Sequence, residues 1–137
     1  HTLEGEEQGF GYRKSAFTGT SRVIVAGTFA LTPGAPEEIR QRMQELMARR
    51  KASQPLDLPS AGSTFKRPVG GYAAALIEQA GLKGTQIGGA AVSAKHAGFV
   101  VNLGGATESD VLALIAHVQK RVLETSGISL EPEVVRL

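Results

Sequence analysis

The sequence contains no cysteine and no tryptophan, and only 5% of its residues are aromatic. The first absence excludes disulfides and thiolate metal sites, and it suits a reducing compartment. Two of the histidines, His96 and His117, stand alone with no ligand partner at helical or turn spacing, so no metal site is expected. No apolar run approaches membrane-spanning length and nothing at the start resembles a signal peptide. The expected location is therefore cytoplasmic, with no membrane partner. Charge of one sign is also scarce: 15 Lys+Arg against 13 Asp+Glu leave +2. That balance does not call for nucleic acid, and the shortage of aromatics removes the stacking platforms an RNA-binding domain would use.

What is present is an ordinary globular composition, 42% hydrophobic and 20% charged, with 17 glycines in 137 residues. This suggests a core of Ala, Val, Leu and Ile with many close backbone approaches. The chain opens on HTLEGEEQGFGYRKSAF, without an initiator Met, and is expected to be a piece of a longer protein.

Residues 22–31, RVIVAGTFAL, are β-branched with period-two character and predict a strand. A helix follows from Pro36, with Glu37 and Glu38 at its positive end, Arg49, Arg50 and Lys51 at its negative end, and Ile39, Met43, Leu46 and Met47 as its apolar stripe. The segment QPLDLPSAGSTFKRPVGG (54–71) has three prolines and no helical period, and predicts an extended loop of about 18 residues, a length that is usually functional. A short helix closed by Gly81, strands near 87–93 and 98–103, and a helix opening on Thr107 and Asp110 come next. In the last helix Val111, Leu114, Ile115, Val118 and Val122 repeat at three and four, and Gly127 ends it. The tail ISLEPEVVRL predicts a strand with an edge or bulge at Pro132. The order implies an α+β fold with a small mixed sheet and helices packed on it.

Motifs of general use are missing. GFGYRK and IGGAA fail the dinucleotide and P-loop patterns, and SAGST is not a nucleophile elbow. The run ARRK (48–51) could bind phosphate, but such runs are more often solvated helix ends. Ser63 alone fits a turn former, Arg13 a solvated charge and Glu133 a water-facing strand residue. Taken singly, each has its structural reading.

Taken together, FGYRKSAF (10–17), QPLDLPSAGSTFKRP (54–68), AALIEQAGLKGTQIGGAAVSAKHAGFVVN (74–102) and LEPEV (130–134) resemble the C-terminal part of the UDP-N-acetylenolpyruvoylglucosamine reductases. The uninterrupted AVSAKHAGFVVN resembles the shorter subtype, which lacks an extra tyrosine-bearing loop. The resemblance implies reduction of UDP-N-acetylglucosamine enolpyruvate to UDP-N-acetylmuramate with NADPH via FAD, for peptidoglycan synthesis. It implies that residues 1–33 are the last strands of the flavin-binding domain and residues 34–137 the substrate-binding domain. FAD would then be bound mainly by a region outside this chain, leaving the chain inactive alone and the full-length enzyme a monomer. A UDP-sugar-binding module without redox chemistry is the alternative.

The resemblance also assigns roles. Arg13 would stabilise charge developing on the substrate, a task suited to a permanently protonated, planar fork. Ser63 would donate the proton and Glu133 would assist at the enol. Tyr12, Gln54, Lys66 and Arg67 would bind substrate, with Arg67 replacing the Asn of many members. Arg13 and Ser63 are 50 residues apart and Ser63 and Glu133 70 apart, so only the fold could unite them.

Overall fold

The computed structural model describes residues 1–11 and 13–135. It has two compact units, His1–Ala35 and Pro36–Leu137. The first holds a 3-10 turn, Gly5–Gln8, entered through a reciprocal cap between Glu4 and Glu7 and left through Gly9 at φ 54°. A tight turn follows, in which Gly11 and Lys14 exchange backbone hydrogen bonds of 2.9 and 3.2 Å.

The strand expected over 22–31 does not form. Its alternation is intact, yet Val23, Ile24, Val25, Phe29 and Leu31 are all exposed. A strand exists only by exchanging hydrogen bonds with a neighbour, and no described residue of this unit supplies one. The last strands expected for residues 1–33 are thus absent among the described residues.

In the second unit α1 (Pro36–Ser53) opens and closes as its charges predict, and Glu45 bridges to Arg42 and Arg49 along its surface. Its apolar stripe does not become core: no residue of α1 is buried. The stretch after it is not the continuous loop expected. It contains β1 (Ser60–Ser63), followed by α2 (Ala73–Gln79), which Gly81 leaves at φ 72°. The first strand of the expected pair is divided by Gly88 and Gly89 into β2 (Gln86–Ile87) and β3 (Ala90–Val92). Chain direction then reverses into β4 (Phe99–Asn102), and α3 (Glu108–Ser126) follows.

The class is α+β, but the sheet is antiparallel throughout rather than mixed, in the order β1-β4-β3-β2. Its two faces differ. Ala90 and Val92 join Ile77, Leu114, Ile115, Val118 and Val122 in the main core beneath α2 and α3. Ala91, Phe99 and Val101 project from the other face, where Leu58 packs on them as a partly buried hydrophobic neighbour. Alternation along β3 and β4 makes this division.

The start of α3 is fastened to the sheet. Thr107 Oγ1 accepts from Asp110 N at 3.2 Å, and Asp110 Oδ2 accepts from Thr107 N at 2.9 Å and Gly89 N at 3.3 Å. The backbone bond from Thr107 chiefly, then that from Gly89 and the Thr107 hydroxyl, holds the Asp110 carboxyl below its usual range, against a smaller opposing cost of burial. A Cβ on Gly89 would stand 2.5 Å from Ala106 N and 2.7 Å from Gly104 O, so this turn cannot carry a side chain without moving.

Candidate functional site

Ser63 ends β1 at an irregularity. Ser60 faces Val101 and Ser63 faces Phe99, so three steps on one strand match two on the other. Gly62, at φ 84°, absorbs the extra residue as bulges commonly require. Cross-strand partners project from one face, so pairing with Phe99 puts Ser63 on the sheet face away from α2 and α3. The Ser63 hydroxyl is exposed and makes no hydrogen bond to the described residues.

The next residue is used fully. Thr64 is 3% exposed; its N–H donates to Gly98 O at 2.9 Å and its Oγ1 accepts from Val100 N at 3.0 Å. Its carbonyl accepts from Glu133 N at 2.8 Å, and Lys66 N donates to Glu131 O at 2.8 Å. These two bonds bracket an antiparallel bridge between Phe65 and Pro132. The tail therefore forms one bridge against residues 64–66 instead of the strand expected over 128–137, whose last two residues lie outside those described. Pro132 occupies the position that donates no ladder bond, where a missing N–H costs nothing.

Phe65 lies in the main core, and Val134 packs against it. Period-two alternation then sends Glu131 and Glu133 to the side of the tail opposite that core. Lys66 follows the same alternation and pairs with Glu131 across the bridge. Both partners are exposed, and an isolated pair of this kind contributes about 0–1 kcal/mol. Its interest is its location. Ser63 and Glu133, 70 residues apart in sequence, thus lie on adjoining segments, with Glu133 N bonded to the carbonyl of the residue after Ser63.

The remaining candidates are more scattered. The Arg67 guanidinium lies 4.1 Å from the centroid of the Tyr72 ring, a contact available to a weakly hydrated planar cation. Gln54 stands at the end of α1, where its N–H donates to Arg50 O and its Oε1 accepts from Arg50 Nε at 3.1 Å. This ties Gln54 to the helix end rather than to Ser63. Arg13 belongs to the other unit and is the one non-glycine at positive φ among the described residues, at 55°. A residue with a Cβ in that region carries local strain and invites a functional explanation. Tyr12 lies outside the described residues.

Sequence reasoning did not find Thr64, the counter-ion role of Glu131 or the stacking of Tyr72 on Arg67. Thr64 has no periodic signature, because its burial depends on two segments far away in sequence. The Arg67–Tyr72 spacing crosses a Val-Gly-Gly turn that no helical or strand period describes.

The fold is an α+β domain in which a small antiparallel sheet, with α2 and α3 packed on one face, carries an exposed serine at the end of β1. A family model described as UDP-N-acetylenolpyruvoylglucosamine reductase, C-terminal domain, matches residues 54–137. Reductases of that name from Levilactobacillus brevis and Limosilactobacillus reuteri are 53% and 54% identical over 97% and 96% of this chain. The chain spans 44% of the length of each of these relatives. The crystal structure of the Thermus caldophilus UDP-N-acetylenolpyruvylglucosamine reductase is similar with a TM-score of 0.68 at 40% identity, covering 96% of this chain and 47% of that one. The chain belongs to the UDP-N-acetylenolpyruvoylglucosamine reductase family.

Proposed function

We propose that this chain is the substrate-side part of a cytoplasmic oxidoreductase that converts UDP-N-acetylglucosamine enolpyruvate to UDP-N-acetylmuramate for peptidoglycan synthesis. NADPH is the reductant and FAD the carrier, and residues 1–33 are the tail of the flavin-binding domain. The observation that supports this reading most is the hydrogen bonding of residues 64–66 to 131–133, which joins the segment after Ser63 to the segment that carries Glu133.

The described residues do not themselves fit a flavin dinucleotide. A pyrophosphate seeks unsatisfied N–H groups at a helix start. Here α1 begins with Pro36, which has no N–H, and two glutamates, while the start of α3 is occupied by the Thr107–Asp110 cap and carries the carboxylates of Glu108 and Asp110. FAD is therefore assigned to residues outside this chain, and the side chains of this one act on the substrate alone.

Once hydride has reached the methylene carbon of the enolpyruvyl ether, negative charge rests on the neighbouring carbon and its carboxylate. Arg13 offsets that charge through its fixed guanidinium. Ser63 transfers its hydroxyl proton to the carbon and recovers a proton from solvent. An exposed hydroxyl with no acceptor of its own is free to turn towards a substrate carbon. A serine is a weak acid, and Lys66 nearby favours the transient alkoxide. Glu133 holds the enol, while Arg67, Gln54 and Tyr12 contact the polar parts of the substrate.

Calorimetric titration of the chain separates this reading from its rivals. UDP-N-acetylglucosamine binds and FAD does not; FAD binding by these residues alone would overturn the division of labour. Turnover of the full-length protein with NADPH and the enolpyruvyl substrate yields UDP-N-acetylmuramate. Substrate binding without any product would leave a non-catalytic UDP-sugar module.

A further inference from the structure

The conformation of β1 at Ser63 depends on a loop that has no role in the proposed chemistry. Residues 93–98 connect β3 to β4, and Ser93, 4% exposed, organises their first half. Its Oγ accepts from Lys95 N at 3.1 Å and from His96 N at 3.2 Å. This turns the His96 ring back over its own loop, where Nδ1 accepts from Gly98 N at 3.1 Å. The ring also packs edge-on against Phe99, with centroids 5.0 Å apart and planes at 77°.

Both contacts of His96 lead to Ser63. Phe99 is the cross-strand partner of Ser63. Gly98, the residue whose N–H the imidazole accepts, offers its carbonyl to Thr64 N at 2.9 Å. The ring leaves little room for anything else: a Cβ on Gly98 would come 3.1 Å from His96 Cε1 and 3.2 Å from Nδ1. Gly98 is buried, so its N–H has no ready substitute acceptor in water.

We propose that His96 is a positioning residue for Ser63: its Nδ1 and ring edge fix the Gly98–Phe99 backbone against which the serine is registered. The proposal rests on the reading of Ser63 as proton donor. His96 itself transfers no proton in this scheme. Its contribution is to hold the hydroxyl within the narrow range of positions that serves proton transfer, where a displacement of about 1 Å can cost on the order of 100-fold in rate.

Three substitutions test it. His96→Asn keeps an acceptor, because an Asn Oδ1 naturally takes the N–H two residues on. His96→Phe keeps the aromatic edge and removes the acceptor. Gly98→Ala leaves the histidine in place but presses on its ring, which must give by a few tenths of an ångström and so lengthens the Nδ1 contact. In the isotope-labelled chain, hydrogen exchange at the Thr64 amide is expected to accelerate in His96→Phe and Gly98→Ala and to stay near wild type in His96→Asn. In the full-length enzyme, product formation should fall about 10- to 100-fold in the first two and recover in His96→Asn, with KM for the substrate little changed. Should His96→Phe fail to fold, Gly98→Ala and His96→Asn decide between them. Equal loss in His96→Phe and His96→Asn, or wild-type exchange and turnover in Gly98→Ala, would overturn the proposal. Full activity of Ser63→Ala would instead remove the reading beneath it, and the Thr64 exchange data would still stand.

Discussion

Replacing Phe65 separates a structured strand from a loop. Phe65 sits seven residues before Tyr72 in a stretch whose composition is that of a surface connection, yet it is 4% exposed and belongs to the main core. Truncating a buried phenylalanine to alanine costs about 3–5 kcal/mol, because the transfer energy is lost and a cavity remains. Against a total stability of about 5–15 kcal/mol, that is a large share. Val69, four residues on, is 98% exposed, and Val69→Ala should fall within about 0.5 kcal/mol of wild type. Urea unfolding of the two variants is the assay, with the midpoint falling in Phe65→Ala while the slope stays constant. The loss has a second consequence, since Phe65 faces Pro132 in the bridge that carries Glu133. Hydrogen exchange at the Glu133 amide should therefore accelerate in Phe65→Ala and not in Val69→Ala. If the two variants unfold at the same urea concentration, residues 64–66 are not anchored in the core and the site built on them fails.

Other positions carry their own expected outcomes. The Asp110 carboxyl is held below its usual range, so it stabilises the fold above its unfolded-state value and loses that contribution as pH falls through its lower folded-state value. Asp110→Asn should accordingly flatten the acid limb of stability against pH, read from thermal melts; an unchanged limb would refute the role. Gly89→Ala should cost about 1–3 kcal/mol by overpacking against Ala106, whereas Gly71→Ala, with nothing within 4 Å, should be neutral or slightly stabilising by chemical denaturation. Arg13→Gly suits the backbone at φ 55° and should abolish most product formation by the full-length enzyme while flavin reduction by NADPH persists; retained turnover would release Arg13 from the chemistry.

Much of this fold is written locally, and those parts were legible. The last helix announces both ends through Thr107, Asp110 and Gly127, and its stripe from Leu114 to Val122 is the core it predicts. The turn at Gly88 and Gly89 was missed because the apolar run crosses it, and two glycines between strands look the same as two glycines within one. Pairing was harder. Residues 22–31 have the alternation of a strand without a described partner, and residues 60–66 have partners without the alternation. Register between Phe65 and Pro132 is set by packing across most of the domain, which no window of sequence contains. Likewise the apolar stripe of α1 correctly marks a helix face but says nothing about what would cover it. Ser63 and Glu133 were singled out through resemblance to a family, and the backbone bond from Glu133 N to Thr64 O joins their segments, which no sequence window could show.

The most direct test of the proposed chemistry is rapid mixing of the full-length Ser63→Ala enzyme, following flavin reduction and product formation separately. Flavin reduction by NADPH should proceed at the wild-type rate, while product formation falls by at least about 100-fold, the usual scale of a lost general acid. Equal loss in both steps, or product formation at the wild-type rate, would contradict the assignment of the proton to Ser63.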